Sequence, residues 1–212
     1  MKTTAEKAPA RKLPYHHGNL RQAMVETCVE LAEEDGAESV SVRKAARRLG
    51  VSSGAPFRHF ANRTALMTAV AEEGMRRFML EIEGGLNRAA QASARERVRV
   101  LGHAYVLWAL RNPTHFKILS ARDIIDIPAS TALRRDIRAV RDLTLRLFKE
   151  AGLGAAAARA GYAKVELMAR ALVYGLSRMN VDRHLPQWDV ADADAEKVTL
   201  QVLDAFLDML WQ

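Results

Sequence analysis

Apolar residues recur at helical spacing from Asn19 almost to the end of the chain, and this periodicity constrains the fold more than any other feature. The first segment shows it in the stripe Leu20, Ala23, Met24, Thr27, Cys28, Leu31 and Ala32. Neither strand-like alternation nor an internal repeat is visible. The sequence therefore predicts an all-α fold.

Glycine, proline and capping residues divide this pattern into about nine helices. The first is predicted to end at Gly36, the second to be capped by Ser39 or Ser41 and to end at Gly50, a short third to be capped by Ser52, and a fourth to run from Asn62 to about Gly84. The others are predicted at about 94–111, 114–122, 132–151, 155–180 and 192–211, with breaks at Asn112–Pro113, Pro128, Gly152–Gly154 and Pro186.

The segment Ser41–Phe60, with sequence SVRKAARRLGVSSGAPFRHF, carries the clearest motif. Ala45 and Ala46 are small enough for a second helix to cross closely, and Gly50 supplies a tight turn. With Ser52 as cap, Pro56 is the fourth residue of the next helix, where its missing N–H has no intrahelical partner to lose. The pattern predicts a helix-turn-helix, whose second helix can enter a major groove of DNA.

The charge distribution agrees with this interpretation. The formal net charge is +7, and residues 41–63 contain no acidic residue. Their basic residues are Arg43, Lys44, Arg47, Arg48, Arg58 and Arg63. Such a patch suits a polyanion, and the alternative is a solvated charged face.

Residues 19–78 resemble the DNA-binding domain of the tetracycline-repressor (TetR) family. The resemblance is carried by Ala45-Ala46, Gly50-Val51-Ser52, Phe57-Arg58-His59-Phe60 and Asn62-Arg63-x-x-Leu66. Two positions depart from the family pattern, since Phe57 replaces a usual tyrosine and Arg63 a usual lysine. Phe57 thus lacks a hydroxyl for a phosphate but can make apolar contact with a thymine methyl.

The motif and the resemblance together imply three segments: a flexible basic arm at 1–17, a DNA-binding domain at 18–78 with the motif at 41–60, and a ligand-binding and dimerisation domain at 84–212. The predicted DNA-binding residues are Ser41, Arg43, Arg47, Ser52, Ser53, Ala55, Pro56, Phe57, Arg58, His59 and Arg63. Arg63 and His59 are expected to contact phosphates, and Lys2, Lys7, Arg11 and Lys12 of the arm are candidates for a minor groove. Phe60 is expected in the core.

The remaining helices carry aromatic, methionine and polar residues that suit a small-molecule pocket. We predict the lining residues to be His103, Tyr105, Trp108, His115, Phe116, Met168, Tyr174 and Arg178, with the alternative that the aromatics are plain core. The segment 103–119 resembles a C-terminal domain of one TetR branch, whose Trp-x-x-x-His-Gly signature reads Arg170, Tyr174 and Gly175 here. The family also implies a dimer formed by the last two helices, through Leu172, Leu176, Leu203, Phe206, Leu207 and Leu210.

Several other classes of function lack their motifs. The chain shows no phosphate-binding loop, nucleophile elbow or metal-ligand spacing, and the pair His16–His17 has no companion ligands. Cys28 is the one cysteine, expected to be buried, and the absence of a signal or spanning segment predicts a cytoplasmic protein. We therefore expect no enzyme, metal or cofactor, but a repressor that a small molecule releases from a near-palindromic operator. An activator, a regulator answering a protein partner and a helical enzyme with an incidental basic patch are the alternatives.

Overall fold

The computed structural model describes residues 20–212, which form nine α-helices and no β-strand, as predicted. The α-helices are α1 (Leu20–Asp35), α2 (Val42–Leu49), α3 (Arg63–Arg88), α4 (Ala94–Arg111), α5 (Pro113–Ser120), α6 (Thr131–Ala151), α7 (Ala155–Ala160), α8 (Tyr162–Val181) and α9 (Ala195–Met209). Short 3-10 helices occupy Ala37–Ser39, Ala55–Arg58, Leu185–Trp188 and Asp192–Asp194. The arm at 1–17, with His16–His17 and its basic residues, lies outside the described residues.

Side-chain caps explain why several helices begin where they do. The oxygens of Ser41, Asn62, Ser93 and Ser130 each accept a hydrogen bond from the backbone N–H three residues later, at 3.1, 2.8, 3.2 and 3.1 Å. Each bond satisfies one of the N–H groups that a helix start leaves without a partner. The predictions of caps at Ser41 and Asn62 are confirmed.

The second helix of the motif is shorter than the sequence suggested. It is the 3-10 turn Ala55–Arg58, and the Ser52 side chain does not cap it. Pro56 still lies in its first turn, where its missing N–H costs no hydrogen bond. Gly50 ends α2 in the left-handed conformation, at φ 68° and ψ 25°, as the predicted tight turn requires.

Two other boundaries also differ from the prediction. The helix expected at 155–180 is divided by Gly161, whose φ of 84° an L-residue rarely adopts, into α7 and α8. The helix expected from 192 begins as a 3-10 turn and becomes α9 at Ala195. The fourth predicted helix, observed as α3, continues past Gly84 to Arg88.

The long helix α3 connects the two parts of the molecule. Its 26 residues extend over about 39 Å, and it packs on α1 as well as on α4, α5 and α6. Helix α4 lies at the centre of the remaining bundle, between α3, α6, α8 and α9. No helix of residues 20–212 is both long and apolar enough to cross a membrane.

Helix α9 packs into its own protomer with one face, which corrects part of the predicted dimer interface. Leu203, Leu207 and Leu210 are only 1, 2 and 5% exposed within the single chain. A Cβ on Gly102 of α4 would lie 3.0 Å from Leu203, so that glycine allows the two helices to approach closely. These three leucines therefore belong to the protomer core.

Candidate functional site

Exposed side chains, most of them polar or basic, surround the turn between α2 and the following 3-10 helix. We call this set the basic surface: it consists of Arg43, Arg47, Ser52, Ser53, Phe57, Arg58 and His59. Arg43 and Arg47 lie one turn apart on α2, and neither they nor Arg58 form an ion pair among the described residues. Their charges are therefore available to a partner in solution.

The other two basic residues of α2 differ because acidic residues of α1 hold them. The Lys44 ammonium lies 2.7 Å from Asp35, and the Arg48 guanidinium lies 2.5 Å from Glu34. The hydrogen bond from Arg48 lowers the pKa of Glu34, and the one from Lys44 lowers the pKa of Asp35. Helix α2 thus has a neutralised side toward α1 and a free cationic side.

Arg63, for which the sequence predicted a phosphate contact, is half-buried and hydrogen-bonds to the protein's own backbone. Its Nε donates to the Val40 carbonyl at 2.8 Å and its Nη2 donates to the Ala37 carbonyl at 2.7 Å. These bonds fasten the segment before α2 to the start of α3. The structure therefore gives the Arg63 side chain an internal positioning role, and the phosphate contact stays a prediction.

The motif's apolar residues divide between the core and the surface. Pro56 is buried and Phe60 is 2% exposed, so Pro56 is unavailable to a base, contrary to the prediction, while Phe60 is confirmed as core. Ala55 is half-buried. Phe57 is 45% exposed, which is unusual for a large apolar side chain and leaves its ring available to a ligand or to DNA.

Five aromatic side chains from α3, α4, α5 and α8 form a continuous group, which we call the aromatic cluster. Phe78 contacts Trp108 and Tyr105 with ring centroids 5.1 and 5.3 Å apart, and Phe116 lies 5.8 Å from Tyr174 and 6.5 Å from Tyr105. The sequence predicted all members except Phe78, whose spacing in α3 is that of any core residue. Centroid distances of this size are those of attractive ring pairs.

Three buried polar atoms without a partner belong to Trp108 of the aromatic cluster or to residues near its members in the chain. Among the described residues, Trp108 Nε1, His115 Nε2 and Ser177 Oγ have no hydrogen-bond partner, and all three side chains are at most 4% exposed. Burial lowers the pKa of His115, so its imidazole is neutral near pH 7. Because an unpaired buried polar atom typically costs about 1–3 kcal/mol, each of the three calls for an explanation.

Arg170 of α8 marks the edge of the aromatic cluster. Its Cζ lies 4.8 Å from the Tyr105 ring centroid and 5.5 Å from that of Tyr174, and its Nη1 donates to the Tyr105 hydroxyl. The side chain is exposed and has no carboxylate at ion-pair distance within residues 20–212. Burial raises the pKa of Tyr105, although the Arg170 charge opposes that shift.

Three residues predicted for the pocket lie elsewhere. His103 contacts Asp204 at 2.8 Å between α4 and α9, and the Arg178 guanidinium bonds to Asp182. Met168 is 44% exposed on the outer side of α8. The pocket candidates that remain are Tyr105, Trp108, His115, Phe116 and Tyr174. In the part of the chain that the structure describes, no three metal-ligating side chains form a group.

Helices α8 and α9 also expose apolar side chains. Leu167 and Met209 are 67% and 59% exposed, and Met168 and Val202 are exposed as well. Of the predicted interface residues, Leu172, Leu176 and Phe206 are half-buried. Large exposed apolar side chains on two helices that pack together suit an interaction surface.

Two protein-family models match separate parts of the chain. The model described as "Bacterial regulatory proteins, tetR family" matches residues 25–70, and the model of a tetracyclin repressor-like C-terminal domain matches residues 98–206. The tetracycline repressor protein class C of Escherichia coli is 42% identical over 52 residues. This match covers 24% of each protein, so the chain spans about a quarter of that curated relative.

Solved structures match over almost the whole chain. A protein of unknown function from Rhodococcus sp. RHA1 is 30% identical with a TM-score of 0.75, over 94% of this chain and 99% of that chain. A bacterial regulatory protein in the tetR family from Rhodococcus RHA1 has the same fold, with a TM-score of 0.66 at 17% identity, over 90% of this chain and 96% of that chain. The chain therefore belongs to the TetR family of DNA-binding transcription regulators.

Proposed function

We propose that the protein is a homodimeric repressor that binds a near-palindromic operator through the basic surface and leaves it when a small molecule binds in the C-terminal bundle. The observation that carries the proposal is the separation of charge on α2. Arg43 and Arg47 are exposed and unpaired among the described residues, whereas Lys44 and Arg48 are neutralised by α1. A helix that keeps one cationic side free is suited to the phosphates beside a major groove.

The basic surface has few side chains that distinguish bases. Arg58 can donate to a guanine, Ser53 can bond to several base edges, and Phe57 can contact a thymine methyl. This short set supports a contribution from DNA shape to operator choice. Arg63 supports the interface indirectly, by holding the segment that precedes α2.

Dimerisation is supported by the exposed apolar residues of α8 and α9. We revise the predicted interface to Leu167, Met168, Val202 and Met209, together with the half-buried Leu172, Leu176 and Phe206. A dimer presents two basic surfaces, and two binding units about one helical turn apart read a palindrome far more tightly than one.

Effector binding requires a connection between the bundle and the DNA-binding unit, and Glu72 of α3 supplies one. It accepts a hydrogen bond from Ser130, the cap of α6, at 2.8 Å, and pairs with Arg21 of α1 at 3.1 Å. The Arg21 guanidinium in turn lies 5.7 Å from the ring centroid of Phe60, under the basic surface. A shift of α6 would thus change the contacts of α1 and of the helix-turn-helix motif.

A second bond joins the same regions. The backbone N–H of Asp126, in the loop before α6, donates to the Thr68 hydroxyl of α3 at 2.9 Å. The bonds Ser130–Glu72 and Asp126–Thr68 both form only when the 121–130 loop lies in this position against α3. An effector that stabilises another arrangement lowers the population of the DNA-binding conformer, which is the thermodynamic content of release.

Footprinting on the DNA upstream of the protein's own gene tests the proposal. We expect protection of a near-palindrome of two half-sites, with centres about one helical turn or a multiple of it apart. Transcription from the adjacent promoter should fall when the protein is added. Failure to protect any DNA at low salt would contradict DNA binding, and stimulated transcription would show an activator.

A further inference from the structure

The aromatic cluster and Arg170 together indicate the chemical class of the effector, an inference that rests on the proposed function. Two arginines of the bundle have acidic partners, since Arg99 lies 2.6 Å from Asp204 and Arg178 bonds to Asp182, whereas Arg170 has no ion pair among the described residues and lies against aromatic rings. A guanidinium carries five N–H donors, and the Arg170 side chain has one bond, to the Tyr105 hydroxyl. Its guanidinium lies against two tyrosine rings at the edge of the cluster.

A carboxylate is the group that this geometry fits. A planar guanidinium binds a carboxylate through two parallel hydrogen bonds, and the neighbouring Tyr105 hydroxyl can add a third. The interaction would occur beside the half-buried Tyr105, where less water competes than at a fully exposed arginine.

The interior of the cluster limits the rest of the molecule. Phe78, Trp108 and Phe116 are buried and apolar, so they suit an aromatic or aliphatic body. His115 of α5 is neutral, and the charges that act on it are those of Arg77 and Glu73, which pair with each other. A second charge in that interior would be costly to desolvate, whereas a neutral polar group could bond with Trp108 Nε1 of the aromatic cluster.

We infer that the effector is an apolar monocarboxylate whose carboxylate binds Arg170 and the Tyr105 hydroxyl and whose body enters the aromatic cluster. Entry requires the aromatic side chains to separate, because the rings of the cluster pack against one another. That separation occurs beside α5, whose His115 packs on Gly74 of α3; a Cβ on Gly74 would lie 3.1 Å from the His115 ring. Binding therefore moves a helix that touches the connection to DNA.

Titration calorimetry with matched pairs of probes tests the inference: 4-phenylbutyrate against 4-phenylbutyramide, and octanoate against octanamide. Each acid should bind the full-length protein about tenfold or more tightly than its amide, the effect of one charge-assisted pair. Arg170→Gln should reduce the affinity for the acids by about tenfold without changing that for the amides, and Arg170→Lys should restore part of the difference.

Arg138→Gln is the matched control, because Arg138 is an exposed arginine of α6 without an ion pair among the described residues. It should leave all four affinities unchanged. Equal affinities for acid and amide, an acid preference that survives in Arg170→Gln, or no binding of either acid at millimolar concentration would overturn the inference. Acid binding at Arg170 that does not weaken DNA binding would uphold it while removing effector release from the proposed function.

Discussion

The basic surface and the aromatic cluster both contain polar groups without protein partners, but in opposite environments. Arg43, Arg47 and Arg58 are exposed, so water solvates their charges at little cost until a polyanion replaces it. Trp108 and His115 are buried, and their unpaired polar atoms cost free energy. The difference indicates two kinds of ligand: a large anion met at the surface, and a small molecule that enters the core.

Separating the two copies of the basic surface should have the largest effect. Leu167→Glu combined with Val202→Glu places charges on the exposed apolar side of α8 and α9, without disturbing the buried leucines of α9. We expect monomers in analytical ultracentrifugation and a loss of operator affinity of about 100-fold or more, because one recognition unit remains per molecule.

Leu80→Glu is the control for this pair, since Leu80 is an exposed apolar residue of α3 outside α8 and α9. It should leave the dimer and its operator affinity intact. Dimers of the double variant at micromolar concentration would show that the exposed face of α8 and α9 is not the dimer interface. The two basic surfaces would then have to be brought together by another interface.

Weakening the connection between the regions should have a smaller effect. Glu72→Gln removes the ion pair with Arg21 and weakens the bond from Ser130, and we expect the free energy of unfolding to fall by about 1 kcal/mol. Hydrogen exchange at residues 121–130 should become faster. Glu83→Gln, at an exposed site of the same helix, should change neither quantity. Unchanged exchange in Glu72→Gln would mean that this contact does not join the two regions.

The fold was largely predictable because local residues set most of its helix boundaries. Ser93 and the Asn112–Pro113 pair bound α4 at the predicted residues, and Asn62 caps α3 as expected. Gly161 was missed because a glycine among alanines does not reveal its positive φ. The short 3-10 turn at Ala55–Arg58 was also missed, since a cap residue such as Ser52 indicates where a helix can begin and not where it does.

The candidate sites were less predictable because they depend on contacts between distant residues. A basic residue near a helix start suggests a phosphate contact, but Arg63 meets carbonyls more than 20 residues earlier in the chain. The stripe of α9 has an apolar residue at Leu203 and another at Val202, and only packing on α4 shows which faces the protomer core. The exposed charges of α2 look alike in sequence until α1 neutralises two of them.

That last distinction gives the most direct test of the central claim, that the free side of α2 binds DNA. The salt dependence of operator affinity should be compared for Arg43→Ala/Arg47→Ala and for Lys44→Ala/Arg48→Ala, which remove equal charge from one helix. We predict that the first pair flattens the slope of log affinity against log salt by about three to four units per dimer, and the second by less than about one. Equal slopes for the two variants would contradict the assignment.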